Sequence, residues 1–180
     1  DARVNKTQFF FDKRDEFMSQ LVREIGNAVK LADKKGMTPC FRLNLTSDLI
    51  WEEIVDENGK TILDRFPQVQ FYDYTKSFGR MARFLNSKRF GENSFPSNYH
   101  LTFSRSETNQ KLVEMVLAMG GNVAVVFRDQ LPATWKRFEV VDGDKSDLRF
   151  LDKSGVVVGL IEKGLAKKDA TGFVQEGVNS

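Results

Sequence analysis

The clearest indication of the fold is the continuously apolar run Val123-Ala-Val-Val-Phe127. A short run of side chains that are all apolar is typical of a strand covered on both faces. The preceding segment, residues 107–119, has helical periodicity and ends at Gly120-Gly121. A helix followed by a doubly buried strand indicates βα units and a parallel sheet.

Other short runs share the β-branched and aromatic character of this strand. They are residues 41–45, 69–72, 99–103, 138–141 and 156–161. Segments with helical character, residues 49–55 and 78–85, separate the early runs. The sequence therefore predicts an α/β fold with a mostly parallel, partial-barrel-like sheet built of βα units.

The two ends of the chain carry separate expectations. From Phe17 a 3.6-residue apolar period predicts a helix, with Asp12 as its N-cap and Gly36 as its stop signal. The apolar run 9–11 before it is expected to anchor onto the core, or onto a part of the protein outside this sequence. Residues 148–152 and 156–161 suggest a C-terminal antiparallel hairpin. We expect one α/β domain over residues 1–165 and a frayed polar tail over 166–180.

Composition excludes several classes of protein. The chain has 180 residues with 27 basic and 25 acidic side chains, and 41% of its residues are hydrophobic, so intrinsic disorder is excluded. Cys40 is the single cysteine and His100 the single histidine, which excludes a multi-cysteine cluster or a His-rich metal site within this chain. No apolar run approaches the roughly 20 residues of a membrane-spanning helix, and no membrane contact is expected.

Polar side chains follow the predicted strands, where the carboxyl ends of parallel strands form a common rim that hosts ligands in such folds. The candidate ligand-binding residues on this rim are Asn44, Ser47, Asp48, Asp73, Lys76, Ser104 and Arg105. A competing interpretation is that some of them are helix caps, with Ser47 or Asp48 before Leu49 and Ser104 or Ser106 before Glu107.

Three groups on the rim suggest particular chemistry. Ser104-Arg105-Ser106 has the hydroxyls and guanidinium that suit a phosphate or carboxylate, which points to a small or phosphorylated ligand. Asp73-Tyr74-Thr75-Lys76 brings together an acid, a phenol and an amine that could transfer a proton or orient a ligand, or Asp73 and Lys76 could form an ion pair with each other. Asp142, Asp144 and Asp147 could bind a hard cation, but they lack calcium-loop spacing, which favours an Asp- and Gly-rich turn.

A basic segment offers a function of another class. Lys76, Arg80, Arg83, Lys88 and Arg89 are interleaved with phenylalanines, a composition that suits nucleic-acid binding. The same pattern also fits a helix buried on one side. A third alternative is a non-catalytic interaction module that meets its partner through the phenylalanine run at residues 9–11.

Six segments of the sequence carry a resemblance to a known family. They are Lys6-Thr-Gln-Phe-Phe-Phe11, Phe41-Arg-Leu-Asn-Leu-Thr-Ser-Asp48, Val69-Gln-Phe-Tyr-Asp-Tyr-Thr-Lys76, Asn98-Tyr-His-Leu-Thr-Phe-Ser104, Asn122-Val-Ala-Val-Val-Phe127 and Val141-Asp-Gly-Asp144. Together they resemble the gene product 88 family of bacteriophages and prophages, over about residues 3–166. The resemblance implies a protein of the host-cell cytoplasm.

The resemblance also implies a possible enzymatic ancestry. Members of that family carry a cysteine-containing segment ahead of this region, in a layout similar to radical S-adenosylmethionine enzymes. Thr46-Ser47-Asp48 resembles their amine-binding motif, and Gly155-Val-Val-Val-Gly-Leu-Ile-Glu162 their adenine-contacting strand. Asp48 would then orient the amine of the ligand, and Ser104 and Arg105 would hold its hydroxyls or carboxylate. S-adenosylmethionine and an iron–sulfur cluster are implied only if an upstream cysteine segment exists, and whether the chain is an enzyme stays open.

Overall fold

The computed structural model describes residues 2–45, 47–91 and 94–177, and over these residues the chain forms a seven-stranded sheet with helices between the strands. The helices are α1 (Ala2–Asp12), α2 (Arg14–Lys34), α3 (Ile62–Arg65), α4 (Phe78–Phe90) and α5 (Gln110–Ala118). The strands are β1 (Cys40–Arg42), β2 (Gln70–Thr75), β3 (Tyr99–Ser104), β4 (Val123–Phe127), β5 (Thr134–Trp135), β6 (Phe138–Asp142) and β7 (Val157–Ile161). Two 3-10 turns cover Arg149–Leu151 and Gly164–Lys168.

The strand order is β1-β2-β3-β4-β7-β6-β5, and every neighbouring pair except β5 with β6 is parallel. The first four strands neighbour each other in chain order, as in the wall of a βα barrel. The sheet stays open, with β1 and β5 at its edges. The prediction of an α/β fold with a mostly parallel sheet is confirmed.

The prediction of a C-terminal hairpin is wrong. Its expected first arm contains the 3-10 turn Arg149–Leu151, and β7 lies between β4 and β6, parallel to both. Val157 and Val158 are fully buried, and an interior position gives this apolar strand a ladder partner on each side. The antiparallel hairpin of the fold joins β5 to β6, through Lys136 and Arg137 at positive φ.

The N-terminal helices also differ from expectation. Asp12 ends α1, and Lys13 precedes α2, so Asp12 is not the N-cap of the long helix. The phenylalanine run is the last part of α1. Phe10 is buried and its ring meets the rings of Phe17 and Trp51 edge-on, which anchors α1 to the core. Phe11 points outward with 63% of its surface exposed.

Two helix starts were misplaced by the sequence. Residues 49–55 contain one turn, at 51–53, and an isolated bridge at Val55 instead of a helix, so neither Ser47 nor Asp48 is a helix cap. Helix α5 begins at Gln110, because the Asn109 side chain accepts from the Ser106 amide and donates to the Ser104 carbonyl. Those two bonds hold the chain in a turn for the residues expected to start the helix.

The two faces of the sheet have different neighbours. Helices α4 and α5 pack on one face, which carries Phe71, Leu101 and Phe103 and forms the main hydrophobic core. The strand register places Arg42, Tyr74, Ser104, Val126 and Leu160 together on the opposite face. We call it the open face below.

The segment after β7, expected to be a polar tail, contacts the sheet near its end. Val174 is 5% exposed, and Gln175 bonds β4 through its amide to the Val126 carbonyl and through its carbonyl to the Arg128 amide. Residues 174–175 are thereby attached to β4, while 178–180 lie outside the described residues. Within the described part of the chain, no helix is both long and apolar enough to cross a membrane.

Candidate functional site

A cleft of about 930 Å³ lies on the open face of the sheet, toward the carboxyl ends of the strands. Five strands contribute to its floor, with Arg42, Tyr74, Ser104, Ala124, Val126 and Leu160. Its walls come from Leu45, Ser47 and Asp48 on one side, from residues 143–147 on another, and from Lys163, Ala166 and Phe173 near the C-terminus. The carboxyl ends of these strands therefore border a concavity that several chain segments enclose.

The structure brings part of the predicted set to this cleft. Ser47, Asp48, Lys76, Ser104 and Arg105 line it. The other two predicted residues, Asn44 and Asp73, are buried and do not line it. Thr46, the first residue of the Thr46-Ser47-Asp48 motif, lies outside the described residues.

Asn44 organises the loop that forms one wall. Its side-chain Oδ1 accepts hydrogen bonds from Ser47 Oγ at 2.7 Å, from the Leu49 amide at 3.1 Å and from Trp51 Nε1 at 3.1 Å. The Asn44 amide donates to Asp73 Oδ1 at 2.7 Å. Asn44 is thus a positioning residue for Ser47 and for the turns that follow.

Asp73 lies on the helix-covered face, beneath that wall. Tyr99 donates its hydroxyl hydrogen to Asp73 Oδ2 at 2.6 Å, and burial raises the pKa of Asp73 to about 7 despite this bond. The ion pair with Lys76 considered as an alternative is not found among the described residues, because Asp73 and the Lys76 side chain lie in different environments. Period-two alternation explains the placement, since Asp73 stands between two residues of the open face.

Arg80 connects Asp73 to the wall of the cleft. It is 3% exposed, and its guanidinium donates to Tyr99 Oη at 2.7 Å, to Glu52 Oε2 at 2.7 Å and to Asp48 Oδ1 at 3.0 Å. The second Asp48 oxygen accepts from Thr75 Oγ1 at 3.0 Å and from the Lys76 amide at 2.9 Å. Asp48 therefore fixes the loop to the end of β2 with its charge neutralised by Arg80.

Arg105 is a buried cation at the cleft that forms no ion pair in the described part of the chain. It is 7% exposed, with Nε donating to Gln110 Oε1 at 3.1 Å and Nη1 to the Phe173 carbonyl at 2.7 Å. No carboxylate of the described residues forms an ion pair with it, and burial lowers its pKa. Nη2 is left without a protein partner in the described part of the chain. Ser106, the third residue of the predicted anion site, has its amide occupied by Asn109.

The sequence missed a cluster at the β1–β2 side of the cleft. Tyr72 and Tyr74 donate to the two carboxylate oxygens of Asp147 at 3.2 and 3.4 Å, and Arg42 Nη1 lies 3.6 Å from Asp147 Oδ2. Burial raises the pKa of each tyrosine to about 12, so both hydroxyls stay protonated at neutral pH. The i, i+2 spacing of the tyrosines was the available signal, because it places both on one face of a strand.

The three aspartates considered for a cation do not converge. Asp144 pairs with Lys163 at 2.6 Å and accepts from the Ile161 amide, Asp142 accepts from the Asp144 amide, and Asp147 belongs to the tyrosine cluster. The described residues contain no group of three acidic, histidine or cysteine side chains placed to hold a metal ion. The geometry is that of the Asp- and Gly-rich turn.

The basic segment does not present five equivalent cations. Arg80 is buried among carboxylates, and Arg83 pairs with Glu52 at 3.3 Å and Glu53 at 2.7 Å. Lys88 and Arg89 lie over the rings of Phe84 and Phe90. The fifth member, Lys76, lines the cleft. Arg80 is therefore removed from any nucleic-acid interface.

Comparison with protein families identifies the chain. A family model described as gene product 88 matches residues 1–177, which include every described residue of the cleft. The chain belongs to the gene product 88 family. Searches of curated proteins and of solved structures found no match to this gene product 88 protein. The site is therefore argued from its own geometry.

Proposed function

We propose that this gene product 88 protein binds a small anionic molecule, phosphorylated or carboxylated, in the open-face cleft. The observation that carries the proposal is Arg105. Its guanidinium forms no ion pair in the described part of the chain, and Nη2, which neither bonds another described residue nor is enclosed by them, can donate to an anion in the cleft. Ser104 Oγ and the Lys76 ammonium line the same cleft and add donors for the same anion.

The charges around the cleft support an anionic ligand. Five basic residues line it, namely Arg42, Lys76, Arg105, Lys145 and Lys163, against the acidic Asp48, Asp144 and Asp147. Arg80 pairs with Asp48 as well as with Glu52, and the cleft cations Lys163, Arg42 and Lys145 pair with Asp144, Asp147 and Asp142. Lys76 has no ion-pair partner among the described residues, so positive charge predominates at its end of the cleft.

Arg149 is a buried cation directly beneath the cleft. It is 1% exposed, and its Nη1 is buried without a hydrogen-bond partner in the described part of the chain. That atom lies 2.9 Å from the position a Cβ on Gly143 would take, and Gly143 lines the cleft. Asp152 Oδ2 lies 3.3 Å from Arg149 Nε and balances this cation, so Arg149 adds no net charge beneath the cleft.

The remaining lining favours a ligand with an apolar part. Leu45, Val126, Leu160 and Phe173 contribute apolar surface beside the Tyr74 ring. A volume of about 930 Å³ lies at the upper end of the range of about 300–1,000 Å³ for small-molecule pockets. The cleft thus has room for a molecule of nucleotide size that carries its charge at one end.

Thermal unfolding with a ligand panel tests the proposal. The panel holds inorganic phosphate, adenosine monophosphate and S-adenosylmethionine, with adenosine as the uncharged control, all at one ionic strength. A ligand present at fifty times its dissociation constant stabilises by about 2.3 kcal/mol, which raises Tm by roughly 5 °C for a chain of this size. Lys76→Ala/Ser104→Ala is expected to lose most of that shift, while Lys30→Ala, on the exposed surface of α2, keeps it. Equal shifts in all three proteins would contradict the assignment of the site.

S-adenosylmethionine belongs in the panel because the family resemblance implies it, and we propose it as a ligand only, held through its carboxylate. The residues of this chain do not fit an iron–sulfur cluster, since Cys40 is the one cysteine and it does not line the cleft. No reaction step is therefore assigned to such a cluster here.

Nucleic-acid binding is the alternative of another class. Lys76, Lys88 and Arg89 form no ion pairs within the described residues, which leaves three cations for phosphate contacts. Retention on single- or double-stranded DNA that weakens steeply with salt would support this alternative. No retention at 20 mM salt would eliminate it.

A further inference from the structure

We propose a second ligand site, for a small aromatic carboxylate, in a pocket of about 220 Å³ at the amino ends of β3 and β4. The pocket shares no lining residue with the open-face cleft and does not depend on the function proposed for it. Its described lining consists of Phe84, Leu85, Lys88, Arg89, His100, Leu101, Met119, Gly120, Gly121, Asn122 and Ser154.

Incomplete pairing of two strands creates the pocket. Strands β3 and β4 are in register only at Phe103 with Val123 and Ser104 with Ala124, so the amino-terminal half of β3 stands apart from β4. Gly121 closes the inner end of the gap. A Cβ there would lie 2.7 Å from Val116 Cγ1 and 2.8 Å from Leu85 Cδ1, so the close approach of these side chains requires glycine.

His100 supplies unused hydrogen-bonding capacity to this pocket. Neither imidazole nitrogen bonds another described residue, and Nε2 is enclosed without a partner. Burial, with the nearby charges of Lys88 and Arg149, lowers the pKa of His100 to about 4. A neutral imidazole carries one donor and one acceptor nitrogen, and buried polar groups are almost always paired. Nδ1 is not enclosed, so it is the nitrogen that a ligand in the pocket can reach.

The mouth of the pocket is cationic. Lys88 and Arg89 line it, and none of its described lining residues is acidic. Lys88 Nζ lies 5.1 Å from the centre of the Phe84 ring, so the cationic mouth of the pocket adjoins its apolar wall. An anion at this mouth would be held by two cations that have no carboxylate partner in the described part of the chain.

Size and lining together select the ligand class. Phe84, Leu101 and Met119 make the inner wall apolar, and a dry apolar cavity of about 150 Å³ accommodates benzene. The 220 Å³ available here holds such a ring together with one carboxylate. The ring would contact Phe84 and the His100 imidazole, whose own ring centroids lie 5.2 Å apart, and the carboxylate would reach Lys88 and Arg89.

The single histidine makes the test specific. In protein labelled with ¹⁵N-histidine, the only imidazole signals come from His100, so a benzoate titration reports on this pocket without further assignment. We expect a saturable shift of those signals with a dissociation constant on the order of millimolar, as suits nine non-hydrogen atoms. Benzyl alcohol, which lacks the charge, is expected to bind about tenfold more weakly.

Two variants separate this site from general surface effects. Lys88→Gln/Arg89→Gln removes both charges from exposed positions and is expected to weaken benzoate binding about tenfold, while Lys30→Gln leaves it unchanged. Inorganic phosphate, the probe for the open-face cleft, is expected to leave the His100 signals in place. Absence of a saturable shift with 50 mM benzoate, or an equal affinity in the double variant, would overturn the proposal.

Discussion

Asp73 and His100 are two buried titrating groups, and their shifted pKa values predict how the stability of the fold depends on pH. Burial raises the pKa of Asp73 from 3.8 to about 7 and lowers that of His100 from 6.5 to about 4. Between these values the folded state holds a proton on Asp73 that the unfolded chain releases, and lacks a proton on His100 that the unfolded chain binds. The two groups therefore act on stability in opposite directions as the pH changes.

The signs and sizes follow from linkage. The Asp73 contribution is fully present below pH 4 and is lost as the pH rises to 7, by up to about 4 kcal/mol at about 1.4 kcal/mol per factor of ten. The His100 contribution runs the other way, rising by up to about 3 kcal/mol between pH 4 and 6.5. We expect these contributions to cancel to within about 1 kcal/mol in the unsubstituted protein.

Single substitutions at Asp73 and at His100 measure the two contributions separately. Asp73→Asn removes the titrating carboxyl, so its free energy of unfolding relative to the unsubstituted protein is expected to rise by several kcal/mol from pH 4 to 7. His100→Gln is expected to show the reverse trend. Urea unfolding followed by fluorescence measures both, because Trp51 and Trp135 are 3% and 5% exposed and report on the folded core. If the free energy of unfolding changed with pH in the same way for the three proteins, the pKa values of Asp73 and His100 would not be shifted in the folded state.

Two further predictions concern packing and buried charge. Gly121→Ala is expected to destabilise the fold by about 1–3 kcal/mol through overpacking, whereas Gly79→Ala in α4, where a Cβ meets no atom within 4 Å, is expected to stabilise it by about 0.5–1 kcal/mol. Equal melting temperatures for the two variants would contradict this account. Arg80→Met leaves Glu52 buried and poorly paired, and is expected to cost about 3 kcal/mol in urea unfolding, against under 1 kcal/mol for the half-exposed Arg83→Met. A smaller loss for Arg80 than for Arg83 would show that the buried network contributes little.

The sheet was predictable because its strands are buried on both faces. Apolar runs such as Val123–Phe127 carry that signature locally, and the helices between them reveal the parallel connections. The position of β7 was not predictable in the same way. Strand β7 pairs with β4 and β6, which are distant in the sequence, so its neighbours cannot be inferred from local pattern. A short turn before an apolar run is equally typical of a hairpin arm and of an interior parallel strand.

The candidate site was predictable in its location and less so in its composition. Residues just beyond the strand ends, such as Lys76 and Arg105, reach the cleft because the carboxyl ends of parallel strands meet at one edge. Within a strand, successive side chains point to opposite faces of the sheet. Tyr72 and Tyr74 face the open side and Asp73 the helices, so the strand parity would have separated them. Asp147 could not be placed, since its contact with β2 depends on how a distant loop folds back.

Titration calorimetry with inorganic phosphate measures directly whether the open-face cleft binds an anion. It compares the unsubstituted protein with Lys76→Ala/Ser104→Ala at constant ionic strength, with Lys30→Ala as the control. We expect saturable one-to-one binding that weakens at least tenfold in the double variant and stays unchanged in the control. Binding of equal strength in all three proteins, or no heat beyond dilution at 50 mM phosphate, would contradict an anion site beside Arg105.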